Sequence, residues 1–145
     1  MARTFQVTFD ARNPRALADF WSEALGYVRQ SPPPGYDTWD AFAMDKGISA
    51  DESEKYDSVI DPDGNGPRLF FQKVPEEKAA KNRMHLDVNV AGHGLPDEGR
   101  RSAINPEVER LVDLGATRLE DFDLGDSSGV WTVMQDPEGN EFCVQ

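Results

Sequence analysis

The chain has 145 residues, 38% hydrophobic and 10% aromatic, which is enough to bury a core and too apolar for a disordered segment. Its formal net charge of −12 excludes a general nucleic-acid or anionic-membrane binder, because phosphates need lysine and arginine. No apolar run approaches the roughly 18 residues that cross a bilayer, no signal peptide follows Met1, and the single cysteine makes no internal disulfide, so a reducing, cytoplasmic location is expected.

The first element in the chain is FQVTFDA, which alternates as a half-buried strand does. Phe5, Val7 and Phe9 share one face, and Gln6, Thr8 and Asp10 the other. A helix is predicted over 14–25, with Asn13 as cap and Pro14 at the first helical position. Leu17, Phe20, Trp21, Ala24 and Leu25 fall on one face of it, meant to pack on Phe5, Val7 and Phe9, and Gly26 closes it. SPPPGYDTW and DKGISADESEKYD read as loops. DPDGN, from Asp61, is a hairpin turn in which proline presets φ and glycine takes the left-handed position. In the strand after it, Leu69 and Phe71 oppose Arg68, Phe70 and Gln72.

A charged linker follows at 76–82. Lys78, Lys81 and Arg83 are too few for a nucleic-acid footprint, and Arg83 is placed to tie the boundary to an acid. MHLDVNV is the next strand, with Leu86, Val88 and Val90 opposing His85, Asp87 and Asn89. AGHGLPDEGRRSA, carrying His93, reads as an exposed loop. A second helix is predicted over 105–114, capped by Asn105, started by Pro106 and stopped by Gly115, with Val108, Leu111 and Val112 buried. DPEGN from Asp136 repeats the first turn 75 residues later, and in the last strand Phe142 and Val144 oppose Glu141, Cys143 and Gln145.

Strand, helix, strands, turn, strand thus occur twice. The pattern is a tandem βαβββ repeat of class α+β, with modules at 1–75 and 83–145 forming a single domain over 1–145. The apolar set of each strand should meet a helix. The polar set lines either a concave cleft or an ordinary solvated sheet face, and alternation alone leaves both open.

The doubled unit, the DPEGN turn before the final strand and the stretch KNRMHLDVNV together resemble the vicinal-oxygen-chelate superfamily of glyoxalase I, bleomycin-resistance proteins and ring-cleaving dioxygenases, and within it the uncharacterised glyoxalase-like branch. The resemblance implies a curled mixed sheet around a cleft between the modules, helices on the outer face, and a homodimer. It fixes no chemistry, since the fold hosts lyases, isomerases, dioxygenases and binders. Metal-dependent members carry His or Gln on the first strand, a carboxylate on the fourth, His on the fifth and Glu on the eighth, which carries over to Gln6, Phe70, His85 and Cys143. Phe70 cannot ligate, and Cys143 stands where the carboxylate belongs. No metal cofactor is therefore expected, with zinc or nickel as the alternative.

Two functional readings follow from the resemblance. One is a metal-free protein binding a small organic ligand. Trp39, Trp131 and Phe70 would give apolar area, while Gln6, Thr8, Asp10, Gln72, His85, Asp87, Asn89, Glu141 and Cys143 would give polar contacts. The acidic members favour a cationic or amine-bearing ligand. The alternative is a glyoxalase-like lyase or isomerase, or a dioxygenase-like enzyme, with an atypical metal site and His85, together with Asp87 or Glu141, as acid and base. A thiolate–imidazole pair of Cys143 with His85 lacks a visible oxyanion hole, and a small buried hydrophobe is the plainer role for Cys143.

Overall fold

The protein is described by a computed structural model covering residues 2–91, 96–124 and 129–145. The chain divides into two compact units, Met1–Glu77 and Lys78–Gln145.

The first unit runs β1 (Gln6–Ala11), α1 (Pro14–Leu25), β2 (Val28–Arg29), α2 (Trp39–Asp45), α3 (Ala50–Ser53), β3 (Tyr56–Ile60) and β4 (Arg68–Lys73). Its sheet has the order β1-β4-β3-β2, with β1 parallel to β4 and the remaining pairs antiparallel. Helix α1 has the predicted bounds because both ends are specified locally. The Asn13 side chain accepts from the Ala16 N–H at 3.1 Å, and Gly26 sits at φ 68° with its N–H on the Ser22 carbonyl. Leu17, Phe20 and Trp21 are buried, and Trp21 lies 5.4 Å from Phe9, which stacks on Phe71. Phe5 does not join them. It precedes the ladder, which starts at Gln6, and is 71% exposed. Leu25, at the helix end, is only half-buried. The two stretches read as loops yield short helices at Trp39 and at Ala50, each begun by a hydroxyl cap: Thr38 accepts from Ala41 N–H and Ser49 from Glu52 N–H.

The second unit runs β5 (Asp87–Val88), α4 (Asp97–Asp113), β6 (Thr117–Asp123), β7 (Val130–Gln135) and β8 (Glu141–Val144). The order β5-β8-β7-β6 repeats that of the first sheet, with β5 parallel to β8. The expected seven-residue strand at MHLDVNV is reduced to a two-residue ladder. Helix α4 departs furthest from expectation: it begins at Asp97, so Asn105 is no cap and Pro106 lies inside it. Arg101 explains the extension. Its guanidinium donates to Thr132 Oγ1 at 3.0 Å and to the Phe122 carbonyl at 2.7 Å, and it pairs with Asp121 at 3.6 Å. Ile104, on the same added turns, is fully buried. These contacts outweigh the N–H that Pro106 cannot give to the ladder. Val112 is 44% exposed, its expected place in the buried stripe being taken by Ile104. The expected exposed loop is thus helical from Asp97 onward, while His93 lies outside the described residues.

Both repeated turns form as predicted, with Gly64 at φ 72° and Gly139 at φ 85°. The α+β class stands, as two four-stranded mixed sheets each with a helix against one face. Among the described residues no helix is long and apolar enough to cross a membrane.

Candidate functional site

Cross-strand partners share a sheet face, so the ladders decide which side chains stand together. In the second unit, Asp87 pairs with Cys143, Cys143 with Val133, and Gln135 with Glu141. The opposite face, built from Val88, Phe142, Val144 and Met134, is fully buried. The face away from α4 therefore carries His85, Asp87, Asn89, Cys143, Glu141 and Trp131.

Three of these converge. His85 Nε2 lies 3.2 Å from Asp87 Oδ1, and the donor atoms of His85, Asp87 and Cys143 all lie within 4.8 Å of one another. Burial, the charge of Asp87 and a hydrogen bond to its carboxylate push the Cys143 thiol up to about 11, so near neutral pH it is a protonated donor rather than a nucleophile. Beside the triad, the Gln145 side-chain amide donates to Asn89 Oδ1 at 3.0 Å. Trp131 stacks on Phe122 with ring centroids 4.9 Å apart.

Glu141 shares the face but is committed elsewhere. Its carboxylate takes the Asn82 backbone N–H at 3.0 Å and pairs with Lys78 Nζ at 3.0 Å. Burial alone would raise its pKa; these partners override that and hold it at about 2. It anchors the segment entering the second unit, a task the sequence offered to Arg83, which is exposed.

The first unit has a polar face too. Gln6 pairs with Arg68, Thr8 and Ser58 with Phe70, and Asp10 and Tyr56 with Gln72. Gln72 Nε2 donates to Asp10 Oδ1 at 2.7 Å, and Gln6 Nε2 to Thr8 Oγ1 at 3.2 Å. Trp39 stands off the sheet on α2, its indole N–H given to the Gln30 carbonyl at 2.8 Å. Arg68, Tyr56 and Gln30 were not singled out from the sequence, although alternation already put Arg68 beside Phe70.

Of the four positions where the resemblance places metal ligands, Gln6 and Phe70 lie in the first unit, with Gln6 Oε1 accepting from Arg68 at 2.8 Å and Phe70 stacked on Tyr56. His85 and Cys143 lie in the second and are joined there by Asp87, which the sequence offered as a ligand-orienting group or an acid–base partner of His85 but not as a metal ligand. Imidazole, carboxylate and thiol are a donor set that fits zinc once the thiol loses its proton, and one carboxylate is too few hard oxygens for manganese.

The fold and this face place the chain among proteins built from paired βαβββ units. Residues 6–145 match the glyoxalase-like domain family, and the chain belongs to that family, within the vicinal-oxygen-chelate superfamily. No curated protein is a match. A glyoxalase/bleomycin resistance protein/dioxygenase family enzyme from Burkholderia phytofirmans is similar in structure at a TM-score of 0.63 and 14% identity, over 96% of this chain and 94% of that one. A glyoxalase-related enzyme from Fulvimarina pelagi is similar at a TM-score of 0.61 and 17% identity, over 99% and 87%. A variant of the fosfomycin resistance protein FosX from Listeria monocytogenes, complexed with Mn(II) and a dihydroxypropylphosphonic acid, is similar at 0.63 and 9% identity, over 100% and 90%. At such identities the likeness is one of fold.

Proposed function

We propose that the chain binds a small organic molecule on the polar face of the second sheet, with His85, Asp87, Asn89 and Cys143 as polar contacts and Trp131 as apolar floor. The observation that carries this reading is the convergence of His85, Asp87 and Cys143 on one face while the other is sealed against α4. In this reading the three groups act as hydrogen-bonding partners, not as metal ligands. The thiol proton is directed at Asp87, and that carboxylate suits an amine or a cation. That FosX is complexed with a small phosphonic acid supports a small-molecule role for a protein of this fold. The homodimer expected from the family is part of the proposal, and light scattering at the mass of one chain would remove it.

A second reading is favoured by the same convergence: a zinc- or nickel-dependent lyase or isomerase, held by His85, Asp87 and Cys143, with the ion supplying a Lewis acid. Elemental analysis of untagged protein purified without chelator separates the two. Absence of stoichiometric metal, no activity on hemithioacetals when zinc or nickel is added, and weaker ligand binding in His85→Ala support the first. One equivalent of metal, lost in both His85→Ala and Cys143→Ser, would replace it with the second.

A further inference from the structure

Several basic side chains of this acidic protein are paired with acids. Arg29 pairs with Asp57 and Asp19, Arg101 with Asp121, Arg110 with Glu107, and Lys78 with Glu141. Arg68, on the polar face of the first sheet, is different. Its Nε donates to Gln30 Oε1 at 2.6 Å and its Nη1 to Gln6 Oε1 at 2.8 Å, both neutral amide oxygens. Among the described residues no carboxylate pairs with it, although the chain has 27 acidic residues against 15 basic ones.

The amides are themselves fixed. Gln30 Oε1 also accepts from the buried Ser58 hydroxyl at 2.9 Å, and Gln6 gives its amide N–H to Thr8. The guanidinium lies over the Phe70 ring with its carbon 4.8 Å from the centroid. Phe70 in turn stacks on Tyr56, centroids 5.8 Å apart at an interplanar angle of 15°. A guanidinium has five N–H donors, and two are used here. The half-buried cation is thus held in a set orientation with donors to spare, beside an aromatic pair whose outer member, Tyr56, is 48% exposed.

We propose that this face of the first sheet is a binding site for an organic carboxylate with a flat, aromatic body. The remaining N–H groups of Arg68 would take the carboxylate in a forked arrangement. The ring would lie against Tyr56 and Phe70, where stacking adds to area burial. The glutamines serve the guanidinium without cancelling its charge, which an aspartate in their place would do. The ligand it takes is opposite in charge to the one that the acidic residues of the second sheet favour.

The test uses the full chain and benzoate as probe, followed by the side-chain and backbone NMR resonances. Benzoate should shift the Arg68 Nε–H and the Gln6 and Gln30 side-chain amides, and benzylamine should not. Arg68→Gln should weaken benzoate binding by about tenfold or more, and Tyr56→Ala by a smaller factor. Should Arg68→Gln fail to fold, Tyr56→Ala carries the test alone. Unmoved Arg68, Gln6 and Gln30 resonances, equal shifts with benzylamine, or unaltered benzoate affinity in either folded variant would overturn the proposal.

Discussion

Asp136 and Asp61 open the same turn motif in different surroundings, which makes them a controlled pair. Asp136 is 2% exposed, and its carboxylate accepts from the backbone N–H groups of Glu138 and Asn140, each at 2.9 Å, and from the Asn140 side-chain amide at 2.9 Å. Asp61 accepts from Asp63, Asn65 and Gly66 N–H at 2.7 to 2.9 Å, but it is only half-buried, so water makes good part of their loss. Hydrogen bonds to an ionised acceptor contribute about 1.5 kcal/mol or more each, so the three at Asp136 sum to at least about 4.5 kcal/mol. Glu138 and Asn140 are only half-buried and recover part of this from water, leaving an expected loss of about 3 kcal/mol for Asp136→Ala. Asp136→Asn keeps a carbonyl for the backbone donors and should lose less. Asp61→Ala should be clearly the milder of the two alanine variants. Urea unfolding followed by tryptophan emission measures this, with Trp131 reporting the second unit and Trp21 and Trp39 the first. Equal losses at Asp61 and Asp136, or a loss under about 1 kcal/mol at Asp136, would refute burial as the deciding factor.

Phe20→Ala removes a ring that is 4% exposed and should lower stability by about 3–5 kcal/mol in the same assay. Asn105→Ala should be neutral or stabilising by up to about 1 kcal/mol, read by thermal unfolding, because the buried Asn105 Oδ1 has no partner. Cys143, with its thiol pushed up to about 11, should react slowly with iodoacetamide near neutral pH, the rate rising about tenfold per pH unit up to the pKa; a plateau near pH 8 would contradict the environment described. Glu141 is held at about 2 against an ordinary 4.5, so its contribution is complete above about pH 4.5 and is lost as pH falls toward 2. Glu141→Gln should therefore flatten acid unfolding over that interval.

What could be read from the sequence was what is specified locally. Asn13, Pro14 and Gly26 each fix one backbone position, and α1 obeys them to the residue. The identical pair Asn105–Pro106 misled because the same dipeptide tolerates a helix interior when something else holds the preceding turns. That something, Arg101 reaching the Phe122 carbonyl and Thr132, is a contact between residues 21 and 31 positions apart and leaves no local trace. Helix α3 did leave one, since Ser49 and Glu52 have capping-box spacing. At the site, alternation gave the correct faces in both units. It could not say that Asp87 would bring a donor atom within 4.8 Å of those of His85 and Cys143, or that Glu141 would be taken by Lys78 and Asn82.

Strand β5 sits at the edge of its sheet and contributes only two residues to the ladder. Beyond that ladder its attachment adds a few backbone bonds: Cys143 N–H to the Leu86 carbonyl, Gln145 N–H to Val88, and the Val90 and Ala91 N–H groups to Gln145. Segments with so few bonds open at a free energy well below that of global unfolding. His85 and Asp87 therefore ride on a lightly held edge segment of the second unit, and the fraction of time it is docked scales the affinity of anything bound there. A ligand on this face would in turn act as a splint. It would slow amide hydrogen exchange at Cys143, Gln145 and Val90, so exchange rates at those three amides can reveal occupancy before the ligand itself is known.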